Sequence, residues 1–217
     1  MKITITEAIE KHRIIAIIRG VGADKLIPLA NALYEGGIRL LEITFSADGS
    51  VSDEETADNI KALVSNFEGR MYIGAGTVLT EKQVALTAEA GGKFIISPNV
   101  DEDVISATMK HGLISMPGAL TPSEICQAHK YGADFVKLFP VSDLGAGYVK
   151  AVKAPLSHIK LLAVGGITDE NMPEYLKVGV DGFGISSSLA DKKLIDACDW
   201  DGITANAMKY TSVIKNG

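Results

Sequence analysis

Short apolar runs recur along the 217-residue chain, separated by longer stretches with helical spacing. The runs are "RIIAIIRG", "GIRLLEITF", "RMYIGAGT", "GKFIISPN", "GLISMPGA", "DFVKLFPV", "IKLLAVGGI" and "DGFGISSS", with cores near residues 14–18, 38–44, 71–75, 93–97, 113–116, 135–139, 160–164 and 182–186. Runs of this length, bounded by glycine or proline, predict buried strands. In "ADKLIPLANALYEGG", Leu26, Leu29, Ala30 and Leu33 form one helical face, which stops at Gly36 and Gly37. "TEKQVALTAEAGG" opens on Thr80 as N-cap, and "TPSEICQAHKYG" opens on Thr121, with Pro122 at the first helical position and Glu124 three residues after the cap. "TDENMPEYLKVG" has a similar start. These are helix start and stop signals with a physical basis: side-chain acceptors for orphan amides, and glycine where the chain must turn.

Strands that alternate with helices imply a parallel sheet with right-handed crossovers. Eight strand–helix units predict a single closed (β/α)8 barrel, the TIM-barrel architecture, over residues 1–217. Residues 3–11 and 201–215 read as extra helices flanking it. An open doubly wound sheet is the rival.

Hydrophobic residues make up 47% of the chain, enough for a sizeable core. A net charge of −6 with no basic run argues against a nucleic-acid partner. Cys126 and Cys198 offer neither a disulfide framework nor metal spacing. The opening "MKITITEAIEKHR" lacks an apolar signal core, and no stretch approaches a membrane span. The expected location is the cytoplasm, with no membrane partner.

Side chains alternate along a strand. In the sixth run Phe135, Lys137 and Phe139 share a face, while Val136 and Leu138 face the helices. In the second, Leu40, Glu42 and Thr44 share the inner face, and Arg19 ends the first run facing inward. The barrel is therefore expected to hold Arg19, Glu42 and Lys137, and unpaired buried charge is costly. A structural Lys–Glu ion pair would explain two of the three. It leaves the inward Arg19 and the glycine-rich strand ends without a reason.

A lysine in an apolar pocket has its pKa lowered, and the free amine can attack a carbonyl to form an imine. The protonated imine is an electron sink that eases making or breaking a neighbouring carbon–carbon bond. Such chemistry needs a base, for which Glu42 is the candidate. The α-carboxylate of a keto acid calls for a cation and hydroxyls, for which Arg19, Thr44 and Thr77 are candidates. Thr77 comes just past the third strand, after Gly74 and Gly76, and Pro98 just past the fourth; these glycines and the proline are expected to shape a tight wall around a small ligand.

"AVGGITDEN" and "GFGISSSLAD" follow the last two strands, where barrels often bind phosphate through loop amides and a helix N-terminus. Gly165 and Gly166 would let the backbone approach a ligand, and Gly184, Ser186, Ser187 and Ser188 offer amides and hydroxyls. An ordinary strand–turn–helix with serine caps is the plainer reading of each turn taken singly. His12, His111, His129 and His158 lie away from the strand ends and lack ligand spacing, so no metal site is expected. No dinucleotide fingerprint follows the first strand.

The stretches "AIIRG", "GGIRLLEITF", "IGAGTVLT", "ISPN", "MPGALTPSE", "VKLFP" and "VGGI" together resemble the KDPG/KHG aldolases, in that family's order, from about residue 12 to 190. Those enzymes cleave 2-keto-3-deoxy-6-phosphogluconate or 4-hydroxy-2-oxoglutarate. The resemblance implies a (β/α)8 barrel, usually assembled as a homotrimer, that uses no metal and no cofactor. It implies Lys137 as the Schiff-base lysine and Glu42 as the general acid/base acting through a water. It further implies Thr77 as a ligand of the pyruvate carboxylate, Pro98 and Phe139 as pocket walls, and Gly165, Gly166 and Ser186 as the phosphate site. Two departures stand out. Some members carry an arginine four residues after the glutamate, where this chain has Ser46, which leaves the carboxylate to Arg19. Gluconate-type members often carry threonine before the paired glycines, whereas Val164 looks more like the galactonate-type relatives.

The leading expectation is a class I aldolase releasing pyruvate and an aldehyde from a phosphorylated 2-keto acid. A sugar-phosphate isomerase or epimerase using Glu42 as base is one rival. A non-catalytic barrel that binds phosphorylated sugar acids is another, although a binder has no need of a nucleophile.

Overall fold

The structure, a computed structural model, describes residues 2–216. Its elements in chain order are α1 (Lys2–His12), β1 (Ile14–Ile18), α2 (Ala23–Glu35), β2 (Leu40–Thr44), α3 (Asp53–Asn66), β3 (Tyr72–Gly76), α4 (Glu81–Glu89), β4 (Phe94–Ile96), α5 (Glu102–Lys110), β5 (Ile114–Met116), β6 (Gly118–Ala119), α6 (Pro122–Tyr131), β7 (Val136–Leu138), α7 (Gly145–Lys153), β8 (Leu161–Val164), α8 (Met172–Lys177), β9 (Gly182–Ile185), α9 (Lys192–Asp196) and α10 (Trp200–Asn216). All strand pairs are parallel, in the order β5-β4-β3-β2-β1-β9-β8-β7-β6. The two ends of this sheet, β5 and β6, are separated only by Pro117. They are halves of one strand, so the sheet closes on itself as an eight-stranded barrel.

Proline has no N–H and interrupts the ladder at that point. Its carbonyl still accepts from the backbone N–H of Lys137 at 2.9 Å, and Phe139 N–H donates to the Ala119 carbonyl at 3.0 Å. The backbone carrying Lys137 is thereby anchored across the seam.

The strand alternation divides the core into two shells. Ile14, Ala16, Ile18, Val136 and Leu138 pack outward against the helices. Ile15, Ile17, Leu40, Phe94 and Phe135 fill the barrel, joined by Ile5 and Ile9 of α1. The helix α1 therefore plugs the N-terminal end of the barrel, and the strands' C-terminal ends carry the open mouth. Helix α10 packs on α2, where Thr204 and Thr211 hydroxyls donate to the carbonyls of Ala32 and Gly36. Close approach requires Gly36, because a Cβ there would stand 2.9 Å from the Thr204 carbonyl oxygen.

Helix starts follow the residues expected of them. Thr80 caps α4, and Thr121 with Glu124 forms a reciprocal capping box on α6, with Pro122 in its first turn. One start differs. Helix α8 begins at Met172, and Thr168 instead exchanges bonds with Asn171, its N–H reaching the Asn171 Oδ1 at 2.9 Å. Asn171 in turn donates to the Gly166 carbonyl at 2.8 Å, which braces the glycine turn after β8. No helix among the described residues is long and apolar enough to cross a membrane.

Candidate active site

Lys137 lies in the middle of β7 and Glu42 in the middle of β2, each flanked by outward-packing residues that fix its inward direction. Both line one cavity of about 540 Å³ at the barrel mouth. Glu42 is 1% exposed and Lys137 9%, and they are the only buried carboxylate and ammonium among the described residues. They form no ion pair. Glu42 Oε2 has no hydrogen-bond partner, and the Lys137 Nζ lies 4.8 Å from the centre of the Phe139 ring.

Burial pushes Glu42 up from 4.5 to about 7, against the pull of the Lys137 and Arg19 charges. Burial also lowers Lys137, with the Glu42 charge opposing and the Arg19 charge reinforcing that shift. Each group is thus moved toward its neutral form, as a nucleophilic amine and a proton-transfer carboxyl require at neutral pH. Two titratable groups displaced by burial inside one cleft are a mark of catalytic sites.

Arg19 follows β1 at the rim and is exposed, not enclosed in the barrel. Its Nη2 donates to the Thr77 Oγ1 at 3.1 Å. Thr77 adopts φ +55°, a left-handed conformation unusual for a β-branched residue, and this turns it into the mouth directly after β3. A guanidinium beside a hydroxyl suits a carboxylate.

After β8, Gly165 and Gly166 adopt φ +98° and +66°. A Cβ on Gly166 would stand 2.6 Å from Ser142 Cβ, so that turn needs glycine for space as well as for conformation. Ser186, Ser187 and Ser188 follow β9 on the same wall, and Ser188 donates to the Ile167 carbonyl at 2.9 Å.

The family model described as "Aldolase: KDPG and KHG aldolase" matches residues 5–206 of this chain. The chain belongs to the KDPG and KHG aldolase family. It is 37% identical over 177 residues, 81% of each chain, to a probable 2-dehydro-3-deoxy-6-phosphogalactonate aldolase of Rhizobium meliloti (strain 1021). It is also 37% identical over 181 residues to the 2-dehydro-3-deoxy-phosphogluconate aldolase of Pseudoalteromonas atlantica, covering 82% of this chain and 80% of that one. A solved KDPG aldolase from Legionella pneumophila, with pyruvate captured as a covalent carbinolamine intermediate, superposes with a TM-score of 0.83 at 29% identity, over 94% of this chain and 96% of that one.

In this family member the cavity wall gathers Arg19, Glu42, Thr77, Pro98, Lys137, Phe139, Gly165, Gly166, Ser186 and Ser187, all anticipated from the sequence. Thr44 is not brought to that wall. It is buried, and its hydroxyl donates to the Ile18 carbonyl at 3.3 Å. Phe139 is 40% exposed and stands at the rim of the cavity. Ala47, Leu79 and Thr168 also line the cavity, and sequence reasoning missed them. They lie in loops, where alternation carries no information. Among the described residues no three His, Cys, Asp or Glu side chains converge to hold a metal ion.

Proposed function

We propose that the protein is a class I aldolase, acting on a 6-phosphorylated 2-keto-3-deoxy sugar acid to give pyruvate and glyceraldehyde 3-phosphate. The observation that carries this reading is the pairing of one buried amine with one buried carboxyl in a single cavity, each displaced toward neutrality. The neutral Lys137 Nζ attacks the C2 carbonyl, and loss of water gives a protonated imine. Glu42, directly or through a water, takes the proton of the C4 hydroxyl. The C3–C4 bond breaks, its electron pair passes into the imine as an enamine, and the aldehyde departs. Protonation at C3 and addition of water then release pyruvate and restore the amine. A carboxyl that titrates at about 7 serves as base and acid within one turnover.

Arg19 and Thr77 would hold the α-carboxylate, and the Gly165–Gly166 turn with Ser186 and Ser187 would hold the phosphate. Val164, at the end of β8, presents an apolar wall to the cavity. This favours a second reading within the same chemistry, with the galactonate-derived phosphate as the preferred substrate. Parallel kinetics on the gluconate- and galactonate-derived phosphates and on 4-hydroxy-2-oxoglutarate decide between them. The homotrimer implied by the family resemblance belongs to the same proposal, and a sedimentation mass of one chain would refute it.

Borohydride added with pyruvate should fix a pyruvate-derived mass on the peptide that holds Lys137. An adduct on another lysine, or none, would overturn the mechanism.

A further inference from the structure

Strand β3, "YIGAG", is unusual in what it leaves out. Ile73 and Ala75 face the helices, so Tyr72, Gly74 and Gly76 face the barrel, and two of those three positions have no side chain. The space does not become ligand volume. A Cβ on Gly74 would stand 2.5 Å from Phe94 Cγ, inside the ring's contact distance. A Cβ on Gly76 would overlap the Glu42 Oε1 and Cδ, and would still be only 2.6 Å from Cγ. The strand register explains this second contact. Glu42 pairs with Gly74 and Thr44 with Gly76, so the Glu42 side chain leans along β3 toward the diagonal neighbour.

The carboxyl therefore lies flat on bare backbone. That contact helps to bury it so completely, with one oxygen left without a partner. Gly76 also lacks the positive φ that makes glycine obligatory for conformational reasons, since it ends strand β3 in register with Thr44, and its carbonyl accepts from the Phe45 N–H at 2.8 Å. The backbone permits alanine there, and the three atoms nearest to its Cβ all belong to the Glu42 side chain.

We propose that Gly76 is a positioning residue for the reaction: its missing side chain is the seat of the Glu42 carboxyl, and a methyl group there drives the carboxyl off its place beside Lys137. This rests on the aldolase reading for its catalytic consequence and on geometry alone for the seat. Gly76 is not part of the wall of the cavity that holds Lys137 and acts through Glu42.

The test is a double-mutant cycle of Gly76→Ala and Glu42→Ala, read by kcat, KM, melting temperature and borohydride trapping with pyruvate. In the otherwise unchanged enzyme, Gly76→Ala should lower kcat by about 10²–10⁴-fold, the usual contribution of acid–base catalysis, with a much smaller change in KM. The acid limb of its pH profile should move to lower pH, because the expelled carboxyl regains water. In the Glu42→Ala background the same change should alter kcat by less than about threefold, as expected when one residue acts only through the other. It should also cost no melting temperature there, because the added methyl fills the vacated space. Equal losses in both backgrounds, or an unchanged kcat in the single variant, would overturn the proposal. Should Gly76→Ala fail to fold, the double variant decides. Stability matching Glu42→Ala alone supports the seat, and failure to fold there as well refutes it. Loss of trapping at Lys137 in the wild type would instead refute the aldolase reading and leave the stability cycle to report on the seat by itself.

Discussion

Replacing Glu42 by glutamine should stop turnover and yet stabilise the fold, increasingly so as pH rises. An unfolded chain ionises this side chain near 4.5, whereas the barrel holds it protonated up to about 7. Between those values the native state keeps a proton that the unfolded state has released. Stability therefore falls as pH climbs through the window, and the penalty is complete above it. At about 1.4 kcal/mol per pH unit within that window, passing from about pH 5 to about pH 8 costs the native enzyme about 2–3 kcal/mol through this one group. Glutamine has the same shape and no charge to bury. Its own unpaired amide adds an offset that does not change with pH. For a chain of this size, about 2–4 °C accompany each kcal/mol. The melting temperature of the variant minus that of the parent should thus grow by about 5–10 °C between those two pH values. Scanning fluorimetry across the range measures it, and groups common to both proteins cancel. A difference flat with pH, or one that widens toward acid, would refute the claim that burial governs this carboxyl.

Lys137→Met should abolish both turnover and trapping with pyruvate. Because burial lowers the lysine's pKa, its penalty falls on the charged form, so the stability gained by methionine should be largest at low pH and fade as pH rises. Thr77→Gly keeps the left-handed backbone without strain and removes the hydroxyl that Arg19 holds, so KM should rise while melting temperature does not fall; a matched loss of stability would point to a structural role. Gly166→Ala meets Ser142 at 2.6 Å and an unfavourable φ, so it should cost more than about 1 kcal/mol and raise KM for the phosphorylated substrate. Trapping of unphosphorylated pyruvate should survive it.

The barrel was legible because its strands state their two faces plainly. In "DFVKLFPV" the period of two separates Val136 and Leu138 from Lys137, and the structure keeps that division. The capped helices were legible for a similar reason, since Thr121 and Glu124 meet over one turn of chain. Helix α3 keeps a cap but lacks a strongly apolar face. Its buried face is Thr56, Ala57, Ile60 and Leu63, only weakly apolar, and it is recognisable mainly by the Ser52 cap and three acidic residues in its first turn. Thr44 shows the limit of alternation, because parity places a side chain on a face but does not say which neighbour will take its hydroxyl. Gly76 shows another limit. A glycine reads as a turn or a wall until the side chain that occupies its space is known, and here that side chain comes from a different strand.

The pairing of β1 with β9, Ile14 opposite Phe183 and Ile15 opposite Gly184, sets a timetable for the nascent polypeptide. Strand β1 leaves the ribosome before its partner and keeps one flank of amides and carbonyls without a mate until β9, which is encoded far downstream, has emerged. Any stall in translation before that moment leaves this adhesive border uncovered.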